Sequence, residues 1–433
     1  MVLTFKLAVS VGLVALLLVG VKLDLSRLRD RQFTILSWTT LAALRVAVFV
    51  VLYLLVGLTP TSDNVTYFAE AKSALAGGVI YRDFESTYGP LATYMNAAAV
   101  YLWDSPKSIV LLAILIELAS FPLWLHLARR IFDEKAARLA SVLYILSPIP
   151  FFTTGVSGLN KSLGAAYLGL GIFFLLRNWD GLAGFIMGLA IPGVKFLMML
   201  FTPAAWVFSP QKVRFLIAFL VPLIALYGVL FMLGADLTMP FKMQLNYQTS
   251  GNLPFFLGLL GLEAASPIVQ RLFDLILLSS LSIIFLIHVF QTRTTKTSWL
   301  IHMCSIVGLT FMFFSKKSYT TYLVLFYFPL CLSVARNSFS LVSAAEFGIF
   351  NLVATIEPSL LFRWVLNFSA IRIPSLAFLS LVHRNPRYIS VIFIVVNLAL
   401  VSFYCRFLIG TWRVMLQERS EGRRGAVAEI QFA

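Results

Sequence analysis

The sequence predicts an all-α polytopic membrane protein of about 13 transmembrane helices, with two further helices lying along the membrane in a first external loop. Three observations predict it. The chain is 60% hydrophobic and only 12% charged, whereas soluble domains carry about 25% charged residues. Apolar runs long enough to satisfy their own backbone as helices recur along its length, and the short alternating segments of a β-barrel are missing. The basic residues gather at the ends of those runs. That placement reads the formal charge of +15 as the cytoplasmic bias of Lys and Arg plus attraction to anionic membrane lipids, and excludes a nucleic-acid partner. Cys304, Cys331 and Cys405 fall in apolar runs without metal-ligand spacing, so they are expected as buried thiols and not as a disulfide framework.

Residues 3–21 form a first span and lead into KLDLSRLRDR, which holds four basic residues in ten. No small-residue cleavage site follows the run, so it reads as an uncleaved anchor. Residues 1–37 are this anchor with its basic cytoplasmic linker. Trp38–Leu58 is the second span, which puts residues 59–107 outside. Within them, 61–77 reads as a helix, from the N-cap types Thr61, Ser62 and Asp63 to the stop at Gly77-Gly78. Residues 79–90 are a loop closing on Tyr88-Gly89-Pro90. The apolar stretch 91–103 is too short to cross and reads as an interfacial helix anchored by Tyr94, Tyr101 and Trp103. If it does not cross, 108–127 runs inward and RRIFDEKAAR, again with four basic residues in ten, is cytoplasmic as expected.

Residues 136–153 then run outward, SGLNK (157–161) is external, and 162–176 returns. The short helices 181–193 and 196–208 meet at Pro192-Gly193 with Lys195 near their apex. Span 213–233 leads to a second external loop, 234–272, with Asp236, Lys242, Asn246, Tyr247, Gln248, Asn252 and Glu263. Spans are expected at 273–290, 299–314, 320–335 and 338–355, and the last at 388–409 before a basic cytoplasmic tail. The C-terminal membrane region, 356–433, contains a stretch read as external that carries Arg363, Arg372, Arg384 and Arg387; a span at 364–382 would reverse the tail.

Several constellations can carry chemistry. Asp63, Tyr67 and Glu70 are spaced i, i+4, i+7 and share one helix face. A carboxylate at the membrane surface can serve as a general base toward a hydroxyl, and Asp63 can equally be an N-cap. YRDFESTYGP packs Tyr81, Arg82, Asp83, Glu85 and Tyr88 into ten residues. Rings and carboxylates together suit a sugar, while a solvated turn with an Arg82–Asp83 or Arg82–Glu85 pair is the plainer account. Lys195, in an apolar hairpin, and Lys316-Lys317, followed by Tyr319, are candidates to hold a lipid-linked phosphate; for Lys316-Lys317 the plainer account is snorkelling to headgroups. Arg45 and Glu117 fall in mid-span on segments flanking the loop and are expected to pair with each other. Glu346 shows no evident partner. The four histidines show no ligand spacing.

The run of an Asp just after a span, then Gly78, Tyr81-Arg82-Asp83-Phe84 and Tyr88-Gly89-Pro90-Leu91, followed by an interfacial helix, resembles the GT-C superfamily of polytopic glycosyltransferases. GLAGFIMGLAIPGVKFLMMLFTPAAW (181–206) and SKKSYTTYLVLFYFP (315–329) are similar to later segments of that family. The nearest likeness is to the polyprenol-phosphate-mannose-dependent α-mannosyltransferases of the GPI mannosyltransferase I type. The resemblance covers roughly 38–330 and is specific in 61–107. It implies a transmembrane catalytic module over 38–355 and catalysis by Asp63 with inversion at the sugar carbon. The implied donor is a polyprenyl- or dolichyl-phosphate sugar, with mannose the expected sugar and a glycan, glycolipid or protein as acceptor. The implied place is the non-cytoplasmic face of a cell membrane, or of the endoplasmic reticulum in a eukaryote. Tyr67, Glu70, Tyr81, Arg82, Asp83, Glu85 and Tyr88 would bind substrate, and Lys195, Lys316, Lys317 and Tyr319 the lipid phosphate. The family's D-x-D pair is replaced by Ser62-Asp63-Asn64-Val65, so no cofactor follows and a divalent Mn or Mg ion stays open. A lipid-carrier flippase or transporter and a non-catalytic membrane subunit are the alternatives.

Overall fold

The computed structural model describes residues 2–23, 25–244, 249–259, 267–291, 297–337, 340–365 and 386–431. Asn246, Tyr247, Gln248, Glu263, Arg372, Arg384 and most of the 364–382 stretch lie outside the described residues. Helices follow one another through the chain: α1 (Val2–Lys22), α2 (Asp30–Phe49), α3 (Asp63–Leu75), α4 (Pro90–Leu102), α5 (Pro106–Ile131), α6 (Glu134–Ile145), α7 (Pro148–Val156), α8 (Lys161–Leu176) and α9 (Asp180–Gly193). The second half holds α10 (Phe196–Phe208), α11 (Lys212–Met232), α12 (Met239–Gln244), α13 (Leu253–Leu259), α14 (Pro267–Gln291), α15 (Ser298–Phe314), α16 (Thr320–Arg336), α17 (Leu341–Val365) and α18 (Pro386–Gln431). Among the described residues the only β pairing is one isolated bridge, Ile80 to Phe84.

Seven of these helices are long and apolar enough to cross a membrane, or eight with the α6–α7 pair, which bends by 46° at its break. Pro148 and Pro150 explain that bend, since neither offers a backbone N–H to the helix ladder. Five shorter apolar helices, α8, α9, α10, α15 and α16, make up the rest of the expected set. Of these, α15 is enclosed almost throughout, with nearly every one of its 17 residues buried. Length alone therefore supports seven or eight crossings where the sequence suggested about 13.

The two basic clusters meet at one end. Arg138 on α6 binds Asp30 on α2 at 2.6 Å and Glu134 at 2.6 Å, and donates to Leu28 O at 2.9 Å. Linker 22–31 and the 129–138 cluster thus lie on the same side, which requires α4 not to cross between them. Arg336 extends the network, pairing with Asp133 at 2.7 Å and with Glu418 on α18 at 3.2 Å. At the other end, α3 and α4 pack on each other and on the start of α5, around Tyr67, Ala71, Ala97, Val100 and Ile109.

Two expectations are corrected. Glu346 does have a partner: Arg406 on α18 holds both its carboxylate oxygens, at 2.9 and 2.6 Å. The reason is the length of α18, 46 residues, which carries Arg406 alongside α17. Cys304 and Cys331 are buried, but Cys405 is exposed on the outer face of α18.

Arg45 and Glu117 stand in the middle of α2 and α5 and face each other. Arg45 Nε lies 2.8 Å from Glu117 Oε2 and Nη2 lies 3.0 Å from Oε1, with both side chains almost fully buried. Tyr144 donates a third hydrogen bond to Glu117 at 3.0 Å, and the guanidinium lies 5.3 Å from the Phe151 ring centre. Removing one member strands the other charge among apolar side chains, which costs about 3–5 kcal/mol. Glu117→Leu should lower the unfolding temperature of the purified protein sharply, and Arg45→Leu combined with Glu117→Leu should recover much of the loss. A double variant no more stable than either single one would refute the pairing as the cause.

Candidate active site

The site is built where the loop after α3 returns to the bundle. Asp63 is the first residue of α3, and Ser62 before it holds the left-handed backbone (φ 66°) without capping the helix through its side chain. Tyr88 stands within hydrogen-bonding reach of the Asp63 carboxylate, whose charge acts on Tyr67, Glu70, Lys161, Lys195 and Tyr322.

Gly89 explains how Tyr88 arrives there. Its N–H donates to Val194 O at 3.1 Å, and a Cβ at this position would run into the backbone oxygens of Pro192 and Ile191. Only a glycine lets the loop lie flat on the α9–α10 break, and this contact sets Tyr88 beside Lys195. Lys195 Nζ lies 5.2 Å from the centre of the Tyr88 ring and 5.6 Å from that of Tyr322, and donates to the Tyr322 hydroxyl at 3.1 Å. Lys161, the first residue of α8, comes from the opposite direction to within 5.4 Å of the Tyr88 ring and 5.3 Å of the Tyr322 ring. Two ammonium groups thus converge on the same pair of rings, whose faces attract cations. Lys161 is 2% exposed, a placement that costs free energy without an anion.

Asn160 joins this cluster to α3. Its Oδ1 accepts from Tyr67 OH at 3.0 Å and from Lys161 Nζ at 3.1 Å. The Tyr67 ring stands edge-on to Tyr88 at 4.6 Å. Both side-chain polar atoms of Asn64, Nδ2 of Asn160 and Oε1 of Glu70 are buried without a hydrogen-bond partner. Buried polar groups left open in this way are suited to hydroxyls of a bound molecule or to water. A water-sized cavity lined in part by Asn96, Gly158, Asn160 and Ser162 adjoins them.

Glu70, two turns along α3, is 5% exposed. Thr93 on α4 donates to its Oε2 at 3.2 Å. Burial is the main force on its carboxyl, pushing the pKa up to about 7, with Ser86 and Thr93 opposing and the Asp63 charge adding to the rise.

The other expected site residues have contacts of their own. Tyr81 is buried against Leu230 and Ala235 and donates to Tyr88 O. Asp236 N donates to Tyr81 O at 2.9 Å, which docks the loop on the segment after α11. Arg82 and Asp83 bind each other at 2.8 Å on the surface, and Arg82 Nη1 donates to Leu233 O at 3.1 Å. That pairing, with the Val79 N–H, holds the Asp83 carboxyl below the usual carboxylate range. Glu85 is exposed. Lys316 lies 3.3 Å from Asp274, and Tyr319 is exposed and edge-on to Tyr322 at 5.5 Å. Lys317 is half-buried, its ammonium pKa lowered chiefly by burial, then by Lys316 and more weakly by Lys195, with Asp274 opposing.

Lys161 carries the clearest signal that sequence reading passed over. It was placed in an external turn, where a lysine is ordinary, yet it opens an apolar helix directly after Asn160. Among the described residues no three His, Cys, Asp or Glu side chains stand together to hold a metal ion. One carboxylate facing two ammonium groups is a poor donor set for a divalent cation, which prefers several oxygen ligands.

No family model and no curated protein matches the chain. Among solved structures, the crystal structure of ArnT from Cupriavidus metallidurans bound to undecaprenyl phosphate superposes with a TM-score of 0.53 at 15% identity, covering 90% of this chain and 78% of that one. The same protein in its apo state gives a TM-score of 0.47 at 14% identity, over 90% of this chain and 79% of that one. The fold is GT-C-like. In that GT-C-like fold the interfacial pair α3–α4 and the packed short helices together frame the Asp63 cluster.

Glu70 generates a pH dependence whose sign follows from its environment. Its folded-state pKa is raised above the ordinary carboxyl value of 4.5, to about 7. The stability it contributes is complete below the unfolded value and is gone once pH has risen through the folded one. The unfolding temperature of the wild type should therefore fall as pH climbs from about 4.5 to about 7 and level off above that, and Glu70→Gln should flatten that limb. Parallel profiles for the two proteins would refute this account.

Proposed function

We propose that the chain is an integral-membrane, inverting glycosyltransferase that takes a sugar from a polyprenyl phosphate and passes it to an acceptor hydroxyl on the non-cytoplasmic side. One observation carries the reading: two ammonium groups, the buried Lys161 and the half-buried Lys195, meet at the rings of Tyr88 and Tyr322, with the charge of the half-buried Asp63 acting on both. A base on one side and a cationic cradle on the other is what displacement of a phosphate leaving group needs. ArnT, whose fold the chain shares, is described with undecaprenyl phosphate bound, which supports a lipid phosphate as the group held here.

In this mechanism Asp63 accepts the proton of the acceptor hydroxyl as its oxygen bonds to C1 of the sugar. The bond from C1 to the phosphate oxygen breaks on the opposite face, so the anomeric configuration inverts. The leaving polyprenyl phosphate keeps the electron pair, and Lys161 and Lys195 stabilise its charge, with Lys317 nearby. Tyr88 orients the Asp63 carboxylate, and Tyr322 orients Lys195. Asn64, Asn160 and Glu70 offer open hydrogen-bonding atoms to sugar hydroxyls. Mannose is the sugar favoured by the sequence resemblance, and the basic residues grouped at the opposite end favour a site outside the cytoplasm. Arg82, Asp83 and Tyr81 serve instead to seat the loop.

The test is sugar transfer by the purified protein from a panel of polyprenyl-phosphate sugars. Asp63→Asn should lower the rate about 10²–10⁴-fold, while Lys161→Met and Lys195→Met weaken donor binding. Transfer by Asp63→Asn at close to the wild-type rate would remove Asp63 as the base. Lipid-linked sugar crossing vesicles without transfer would favour a flippase.

A further inference from the structure

Residues 249–252, Thr-Ser-Gly-Asn, form a buried strap between two parts of the chain that are distant in sequence. Thr249, Ser250 and Asn252 are each 3% exposed or less. On one side Thr249 N donates to Lys316 O at 2.9 Å, and the Thr249 hydroxyl reaches Ser318 O at 3.0 Å and Lys316 O at 3.2 Å. On the other side Ser250 donates to Glu357 on α17, and Gly251 N donates to Asn397 on α18 at 2.7 Å. Asn252 closes the turn, with Nδ2 donating to Thr249 O at 2.8 Å and Oδ1 accepting from Phe255 N at 2.9 Å. Gly251 holds φ +81°, a left-handed conformation, with Leu400 and the Glu357 carboxylate beside it.

The segment fastened in this way is the turn that carries Lys316 and Lys317. That turn has its own internal bonds, from Ser318 Oγ to Met312 O at 2.9 Å and from Lys317 N to Ser315 Oγ at 3.2 Å. Lys316 O and Ser318 O both accept hydrogen bonds from Thr249. Without that residue two carbonyls would lose a partner, and the turn would lose its tether to α17 and α18. Glu357 and Asn397 are themselves 2% and 0% exposed, so the anchor is fixed within the bundle.

We propose that strap 249–252, anchored by Glu357 and Asn397, is a positioning element for the lipid-phosphate site: it sets the 315–318 turn, which leads directly into α16, so that the Tyr322 hydroxyl meets Lys195 Nζ at 3.1 Å. This rests on the reading that Lys195 and its neighbours hold a polyprenyl phosphate. Thr249, Asn397 and Glu357 touch no substrate and act through Tyr322. A strap serving only to stabilise the bundle would change the unfolding temperature and leave the affinity for phosphate alone.

The experiment measures the binding of undecaprenyl phosphate to the full chain in nanodiscs, together with its unfolding temperature. Thr249→Val should raise Kd roughly five- to thirtyfold, and Thr249→Ser should restore it. Against a Tyr322→Phe background, Thr249→Val should add nothing, because the strap acts through that hydroxyl. Should Thr249→Val fail to fold, Asn397→Ser supplies the same comparison from α18. Wild-type Kd in Thr249→Val, or full additivity with Tyr322→Phe, would overturn the strap's role while a weakened Lys195→Ala leaves the phosphate reading standing. An unchanged Kd in Lys195→Ala would overturn that reading and the strap's role with it.

Discussion

Two ammonium groups, one buried and one half-buried, share the rings of Tyr88 and Tyr322, and the surrounding fold answers the cost of holding them there. Like charges repel, and burial weakens the screening that water would give. Lys195 opposes the charge of Lys161, while Asp63 favours both. Ring faces supply the rest of the compensation, and Asn160 and the Tyr322 hydroxyl take one ammonium hydrogen each. One carboxylate beside two ammonium groups leaves the cluster with one cation in excess.

Rigid backbone contacts keep these groups in place. Gly89 on the α9–α10 break fixes Tyr88 against Lys195, and Tyr81 with Asp236 fixes the other end of the same loop. The loop is thus held at both ends by main-chain hydrogen bonds. Arg82 and Asp83, which the sequence suggests for substrate binding, pair with each other on its surface. The Arg45–Glu117 pair holds α2 against α5, the two helices that flank the stretch from which Asp63 projects.

Much of this was legible in the sequence because membranes impose strong rules. Apolar length located the helices, and the two basic clusters fixed α4 as a helix that does not cross, through the same charge bias that brings Arg138 to Asp30. Helical spacing put Asp63, Tyr67 and Glu70 on one face, and all three stand in or beside the cluster. What was not legible depends on long-range contact. Lys161 looks like a loop lysine until α8 is packed against Tyr322. The 249–252 strap contains no charged residue, and its partners lie 67 to 146 residues away. The break at Pro148 and the length of α18 blurred element ends for a different reason, since the apolar pattern runs on past the point where geometry changes.

Gly251 meets its partner Asn397 only after 146 further residues. During synthesis, then, the strap is made well before α18 has entered the membrane. Until that helix is in place, the backbone N–H of Gly251 has no Asn397 to bond, and α17 alone can receive Ser250. Assembly therefore finishes with the last helix, and the lysine turn takes its final position late.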